Sequence, residues 1–402
     1  MTDTMKIGVL VSSYDETNSP FAEFDEYQNP GIYVKTHEFH LRVVTKKNAK
    51  EQIDRIVEEG FDYIWNFLWG LPDDNIAGID EVKYLESKNV PMLGASSKYL
   101  LLTKLDQKNA IASAGLKTPK GIAIKGDEVS LPQLDLGDLQ FPLISKPAVG
   151  CGSEFLTEQS VCSNLTKLWT QIEILKSKVN CEILIEEFID GQEVACIVLE
   201  TRNGNIALEP LIYEFPDNYP STKRFLDFQK KFAGVETGEV KYKIFDGDAS
   251  LKKNIQETAI KAYESLGVLG SGYARVDIRI RGSDLYVLEI NHTPAFFAKI
   301  GNTYGDDFTI ESTFPGGHER LGNQSKTQTM KIGVLINPTP AFFAKIGNTY
   351  GDDFTIESTF PGGHERLVEE IITSKRRFDV ILQAYKEIAN VYEDQILIKN
   401  DI

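Results

Sequence analysis

Two short alternating segments joined by a tight turn constrain this chain more than anything else in it: 272–278 and 285–291, around Gly282-Ser283-Asp284. Gly272-Tyr273-Ala274-Arg275-Val276-Asp277-Ile278 alternates small or apolar residues with polar ones, as a strand does. Leu285-Tyr286-Val287-Leu288-Glu289-Ile290-Asn291 follows as a second strand. Paired as a hairpin, the two segments set Asp277, Glu289 and Asn291 side by side, because alternate residues share a face and opposed side chains lie about 5 Å apart. Carboxylates that close repel unless a cation sits between them. Three oxygen ligands with no Cys or His suit Mg²⁺, with Mn²⁺ an acceptable substitute. Arg275 projects from the face that carries Asp277, so an anion beside the metal would also meet a guanidinium. The competing reading is a solvated hairpin whose acids face water.

The chain has 402 residues, and its formal net charge of -16 disfavours nucleic acid and anionic membranes as partners. Any bound phosphate must then be held by local Lys and Arg with backbone amides. No apolar run is long enough to span a bilayer, and no signal-peptide pattern opens the chain. Cys151, Cys162, Cys181 and Cys196 lack paired CxxC spacing and read as reduced thiols of a cytoplasmic protein.

Strand-like runs at 5–12 and 63–67 alternate with helical spacing at 49–60 and 78–88, the pattern of an α/β unit with a parallel sheet. His37 and His40 fall in a loop-like stretch and read as surface residues. A helix over 99–115 carries Lys104 and Lys108 and ends at Gly115. Beyond it, short strands bracket a helix at 164–178, and then strands predominate around another at 251–266, an α+β mixture. The tail is anomalous: residues 293–321 recur identically as 339–367, preceded by a copy of 5–10 at 330–335. Solenoid repeats diverge and tile, and this one does neither. A tandem duplication and an assembly artefact fit equally. The second copy aligns Leu335 with Glu289, so it cannot form a second metal site. Helical spacing follows at 371–392.

Lys146 ends an apolar segment and precedes Val149-Gly150-Cys151-Gly152-Ser153. Glycines after a strand let backbone N–H groups approach phosphate, although an ordinary turn has the same composition and the P-loop Lys-Ser/Thr is missing. Glu186-Glu187-Phe188-Ile189-Asp190-Gly191-Gln192-Glu193 joins two strands through a tight linker. Such a linker can present backbone groups to a purine edge, and Glu193 can accept ribose hydroxyls; a solvated acidic turn is the alternative.

Together these segments resemble the ATP-grasp superfamily, most closely its D-alanine–D-alanine ligase branch, from residue 5 to 291 and more loosely over 293–321. The resemblance implies a Rossmann-like pre-ATP-grasp α/β domain at 1–97, followed by a two-lobed ATP-grasp fold: a small subdomain with the glycine-rich loop at 98–188 and a catalytic subdomain at 189–322. Residues 323–402 hold the partial duplicate and a helix. It also implies Lys104, Lys146 and Lys231 as phosphate lysines, with Gly150, Gly152 and Ser153 in a loop over the phosphates. Glu186, Glu187 and Ile189 become the adenine linker and Glu193 the ribose ligand. Asp277, Glu289 and Asn291 become Mg²⁺ ligands, and Arg275 the catalytic arginine that steadies acyl phosphate and tetrahedral intermediate. The departures concern substrate. Ala295 replaces an acceptor-loop glycine in Asn291-His-Thr-Pro-Ala, Phe232 replaces a tyrosine, and Gly152 replaces a serine. The segment 12–30 has no clear counterpart to the family's ammonium-binding glutamate.

The expectation is therefore an ATP-dependent, ADP-forming carboxylate–amine ligase working through an acyl phosphate, with small-molecule acid and amine substrates unlike the D-alanine pair. A homodimer is compatible with it. Two alternatives stand beside it: a phosphotransferase on the same nucleotide site, and a nucleotide-binding regulatory module without turnover.

Overall fold

The computed structural model describes residues 4–297, except 18, 24–26, 33–36, 126–129, 202, 203, 235, 236, 268, 269 and 296, together with Asp306 and Thr309. The duplicated tail and the 371–392 helix lie outside the described residues. Three sheets carry the architecture.

The first sheet comes from β1 (Lys6–Ser12), β2 (Glu38–Val44), α1 (Ala49–Glu58), β3 (Tyr63–Asn66), α2 (Ile79–Ser87) and β4 (Met92–Gly94). Its strands run parallel in the order β2-β1-β3-β4. This is the α/β unit expected from the alternation of strands and helices. One correction concerns the histidines. His40 lies within β2, paired with Gly8, and His37 is buried, its Nδ1 accepting from Met5 N–H at 3.3 Å. The half-exposed, polar character of this edge strand hides it from periodicity.

The helix expected over 99–115 is two. α3 (Ser97–Leu100) stops, and α4 (Lys104–Ser113) restarts behind Thr103, whose side chain accepts from Asp106 N–H while the Asp106 carboxylate accepts from Thr103 N–H. That reciprocal capping box satisfies N–H groups that a continuous helix would have bonded internally, and it fixes the start of α4 at Lys104.

β5 (Gly121–Ile124), β6 (Leu143–Pro147), β7 (Val161–Cys162), α5 (Leu165–Lys176) and β8 (Ile183–Glu187) form a small antiparallel sheet ordered β5-β8-β6-β7. α5 packs on it through Leu168, Ile172 and Leu175. The large antiparallel sheet follows: β9 (Gln192–Thr201), β10 (Gly204–Ala207), β11 (Leu211–Glu214), then α6 (Phe228–Phe232), β12 (Lys241–Ile244), α7 (Ala249–Ser265), β13 (Tyr273–Arg281) and β14 (Asp284–Asn291). Its order is β12-β11-β9-β13-β14, with β10 on β9. One face packs on α4 and α7 through Ile111, Ile255, Ala259 and Tyr263 against Val276, Ile278 and Val287. This is the α+β mixture expected beyond the first unit.

The parallel unit and the large sheet share a core. Val9, Trp65, Phe67 and Leu93 pack against Ile197, Leu199, Tyr273 and Phe297. Within it, the Trp65 indole N–H donates to Tyr273 Oη at 2.9 Å, with Trp65 wholly buried. Tyr273→Phe leaves that indole N–H without this acceptor, so stability should fall by about 1–3 kcal/mol in urea titration. An unchanged midpoint would show that the bond does not tie the two parts together.

Candidate functional site

β13 lies between β9 and β14, and its two faces do different work. Ala274, Val276, Ile278 and Ile280 face the α7 core; Arg275, Asp277 and Arg279 face the opposite way. The hairpin brings the expected residues side by side: Asp277 opposes Glu289, and Arg275 opposes Asn291. A bulge then shifts the register, so that Ile278 pairs with Val287 and Leu288 is the extra residue. Strict alternation along β14 would have put Val287 on the Glu289 face. The bulge instead lets Val287 enter the core while Glu289 and Asn291 stay on the site side.

This face lines a cleft of about 490 Å³ between the small and large sheets. Lys104, Lys146, Glu186, Ile189, Lys231 and Glu289 all border it, as do Gly150, Ser153, Glu187, Glu193, Arg275 and Asp277. Gly152 and Asn291 border a smaller adjoining cavity instead. The predicted residues therefore converge on two connected hollows.

Charge in the cleft is arranged as buried, opposed groups. Arg275 Nε and Nη2 donate to Asp277 at 2.6 and 2.9 Å, and Nη1 donates to Asp306 at 2.8 Å. Burial works against the Glu289 carboxylate, but Lys104, Lys146, Lys231 and Arg275 hold it down to about 2, so it is ionised at neutral pH. Glu186, expected in a purine-facing linker, sits within β8 with its carboxylate clamped by Lys146 at 2.6 Å and Lys108 at 2.5 Å. Burial alone would lower the Lys146 ammonium; Glu186 and Glu289 outweigh it and raise it. Lys108 was missed as a site residue, although it stands four residues after Lys104 on the same helix face.

The linker itself crosses between the two sheets from β8 to β9. Arg279 pins it, donating to Ile189 O and Gly191 O, each at 3.1 Å, and to the Glu193 carboxylate at 2.8 Å. Arg279 was also missed, and its signal was the same alternation that exposed Arg275 and Asp277. Glu187 accepts from Gln140 N–H at 3.3 Å.

Lys104 Nζ donates to Gly150 O at 2.6 Å and lies 3.9 Å from Glu289, so it tethers the glycine loop to the carboxylate. Gly150 and Gly152 hold φ of 83° and 67°, the left-handed region that glycine adopts without strain. A Cβ on Gly152 would come within 2.5 Å of the Phe21 ring. Ser153 Oγ donates to Leu226 O at 2.9 Å, docking the loop beside α6.

Asp277, Glu289 and Asn291 offer two carboxylates and an amide oxygen, a hard donor set that fits Mg²⁺. Asn291 Oδ1 accepts from Thr293 N–H at 2.9 Å, which orients the amide oxygen. No cluster of three or more His, Cys, Asp or Glu in a metal-holding arrangement occurs among the described residues. Nor is any described helix long and apolar enough to cross a membrane.

A parallel α/β unit followed by two antiparallel sheets enclosing a cleft of buried, opposed charges matches an ATP-grasp fold. Residues 111–300 match the family described as D-ala D-ala ligase C-terminus. A D-alanine–D-alanine ligase of Delftia acidovorans is 30% identical over 261 residues, 61% of this chain and 71% of the relative. One from Carboxydothermus hydrogenoformans is 29% identical over 317 residues, 73% and 90% of the two chains. Among solved structures, the Bacillus anthracis D-alanine–D-alanine ligase complexed with ATP aligns with TM-score 0.55 at 18% identity, covering 80% of this chain and 95% of that one. The VanG D-Ala:D-Ser ligase of Enterococcus faecalis gives TM-score 0.56 at 19% identity, covering 80% and 98%. The chain belongs to the D-alanine–D-alanine ligase family, whose members are ATP-dependent, ADP-forming C–N ligases.

Two predictions follow from the buried charges. Glu186→Ala leaves two buried ammonium groups without their carboxylate and should cost about 3–5 kcal/mol, read by urea titration. A loss under about 1 kcal/mol would mean that the clamp is relieved by solvent. The second concerns Glu154, on the glycine loop, whose carboxyl is raised to about 7, first by burial and then by Asp74. A raised acid stabilises the docked loop while protonated and loses that contribution as pH climbs through the folded value. Proteolytic cleavage in the loop should therefore speed up as pH rises from 6 to 8 in the native chain and stay flat in Glu154→Gln. Parallel profiles for the two would exclude Glu154 as the cause.

Proposed function

We propose that this protein joins a small carboxylic acid to an amine with ATP, through an acyl phosphate, and that the cleft between the small and large sheets is where it does so. One observation carries the reading. Lys104, Lys146, Lys231 and Arg275 surround the Glu289 carboxylate closely enough to hold it ionised at the bottom of a cleft large enough for a nucleotide. Fixed charges of both signs, held ready in a desolvated hollow of this size, suit the phosphates of a nucleotide together with a cation.

In this reading the nucleotide lies against the linker 188–191, with Glu193 towards its ribose. Lys104 and Lys146 neutralise its phosphates, and the 150–153 loop closes over them to exclude water from a hydrolysable intermediate. Asp277, Glu289 and Asn291 would hold Mg²⁺, which when bound supplies positive charge to phosphate oxygens. The substrate carboxylate attacks the γ-phosphorus and ADP departs. The amine nitrogen then displaces phosphate from the acyl carbon, with Arg275 positioned to donate to the oxyanion that forms on the way. The chemistry of the relatives, joining two amino acids, supports the reaction class; the altered residues around the acceptor loop favour a different acid or amine.

Arg275→Ala and Glu289→Gln should each lower ADP release by at least a hundredfold, with the far-ultraviolet circular dichroism spectrum unchanged. Near-normal ADP release in either variant refutes the role given to that residue. Hydroxylamine separates the ligase from a phosphotransferase, since only an acyl phosphate yields a hydroxamate.

A further inference from the structure

Beside the nucleotide cleft lies a second hollow of about 110 Å³, and Cys151, Tyr213, Leu226, Lys231 and Arg275 line both. Anything held there reaches the cleft at its cationic end. The far wall is aromatic. Phe21, from the parallel unit, meets Trp69 edge-on at 5.1 Å and Phe232 at 5.6 Å, and all three rings border the hollow. The Phe21 ring fills the space a side chain at position 152 would take. Interplanar angles of 79° and 75° set these rings edge against face, the favoured packing of aromatic pairs.

The carboxylate lining the hollow, among the described residues, is Asp306. It is committed to Arg275 at 2.8 Å and is itself 4% exposed. An α-ammonium placed here would have to share Asp306 with a guanidinium, beside Lys231. A carboxylate would meet Lys231 and Arg275 at the junction while an apolar body lay on the aromatic wall. An apolar cavity of about 150 Å³ takes up benzene, so this somewhat smaller space suits a short chain.

We infer that the acid activated by this protein is a short apolar carboxylic acid without an α-ammonium group, and that Phe21, Trp69 and Phe232 select it. The inference rests on the acyl-phosphate reading. In the step itself, a carboxylate oxygen bonds to the γ-phosphorus, and the bond to the bridging oxygen breaks. ADP leaves with that electron pair, and an amine, or hydroxylamine as a trap, then displaces phosphate from the acyl carbon and loses its proton to solvent.

The test gives the full chain ATP, Mg²⁺ and hydroxylamine, with acids in matched pairs: 3-methylbutanoate against D- and L-leucine, and propanoate against D- and L-alanine. Hydroxamate should form from the ammonium-free member of each pair with kcat/KM at least tenfold higher. Equal or better turnover of the amino acids overturns the inference and leaves the ligase reading intact. ADP release without hydroxamate from any acid, or no ADP release at all, overturns both. Phe21→Ala should move the preference at least tenfold from 3-methylbutanoate towards 4-phenylbutanoate. An unchanged ratio in a folded variant removes Phe21 from the selecting wall.

Discussion

Everything at the site depends on which way β13 faces. Ala274, Val276, Ile278 and Ile280 are buried against α7, and that burial fixes the strand's phase. Because the side-chain period is two, a slip of one residue would drive Arg275, Asp277 and Arg279 into an apolar core and expose the other set. The cost of burying those charges unpaired, several kcal/mol each, makes the register nearly obligatory. The apolar residues of one face thereby position the charged residues of the other. At its Tyr273 end that second face is bonded to Trp65 of the parallel unit, so the hairpin is anchored from both sides.

The same alternation is why so much of the site was legible in the sequence. Arg275 and Asp277 share a face by a period of two, and so do Glu289 and Asn291, but the two pairs meet only through the bulge at Leu288, since the turn's own register would set Asp277 opposite Leu288. The bulge at Leu288 was not legible, since nothing in Val287-Leu288-Glu289 distinguishes a phase change from an ordinary apolar run. The break before α4 was legible in principle: Thr103-x-x-Asp106 is a capping-box pattern, masked by the apolar residues that continue on both sides of it. Asp306 had no local signal at all. It meets Arg275 across 31 residues, and only the fold brings the two together.

Glu186 borders the cleft, yet its surroundings are not those its place in the sequence suggests. An acid at the end of a strand, just before a linker, reads naturally as facing solvent or a ligand edge. It faces inward because Lys108 and Lys146 arrive from a helix and a neighbouring strand, and each would be costly to bury without a counter-charge. The cluster then does what an isolated ion pair could not. Two lysines on one carboxylate leave net positive charge in a desolvated place, which Glu289 and its own neighbours feel across the cleft. Fixed charge that needs no rearrangement is the form of electrostatics that suits a phosphoryl-transfer site.

The parallel unit makes two aromatic contacts with the rest of the fold, and only the second borders the hollow. Trp65 and Phe67 bury themselves against Tyr273 and Phe297, so the unit is welded to the large sheet by apolar contact. Phe21 of the same unit meets Trp69 and also Phe228 and Phe232 of α6, beside the glycine loop. Aromatic side chains bury large areas and lose few rotamers on ordering, so a cluster drawn from separate parts of the chain can assemble at modest entropic cost. A polar cluster in the same place would need every donor and acceptor matched before water was excluded. An apolar one needs only shape, and it leaves the electrostatic field of the cleft to Lys231, Arg275 and the carboxylates they face. On the proposed reading, an apolar body would lie on the aromatic wall while Lys231 and Arg275, which line both hollows, face the transferring charge.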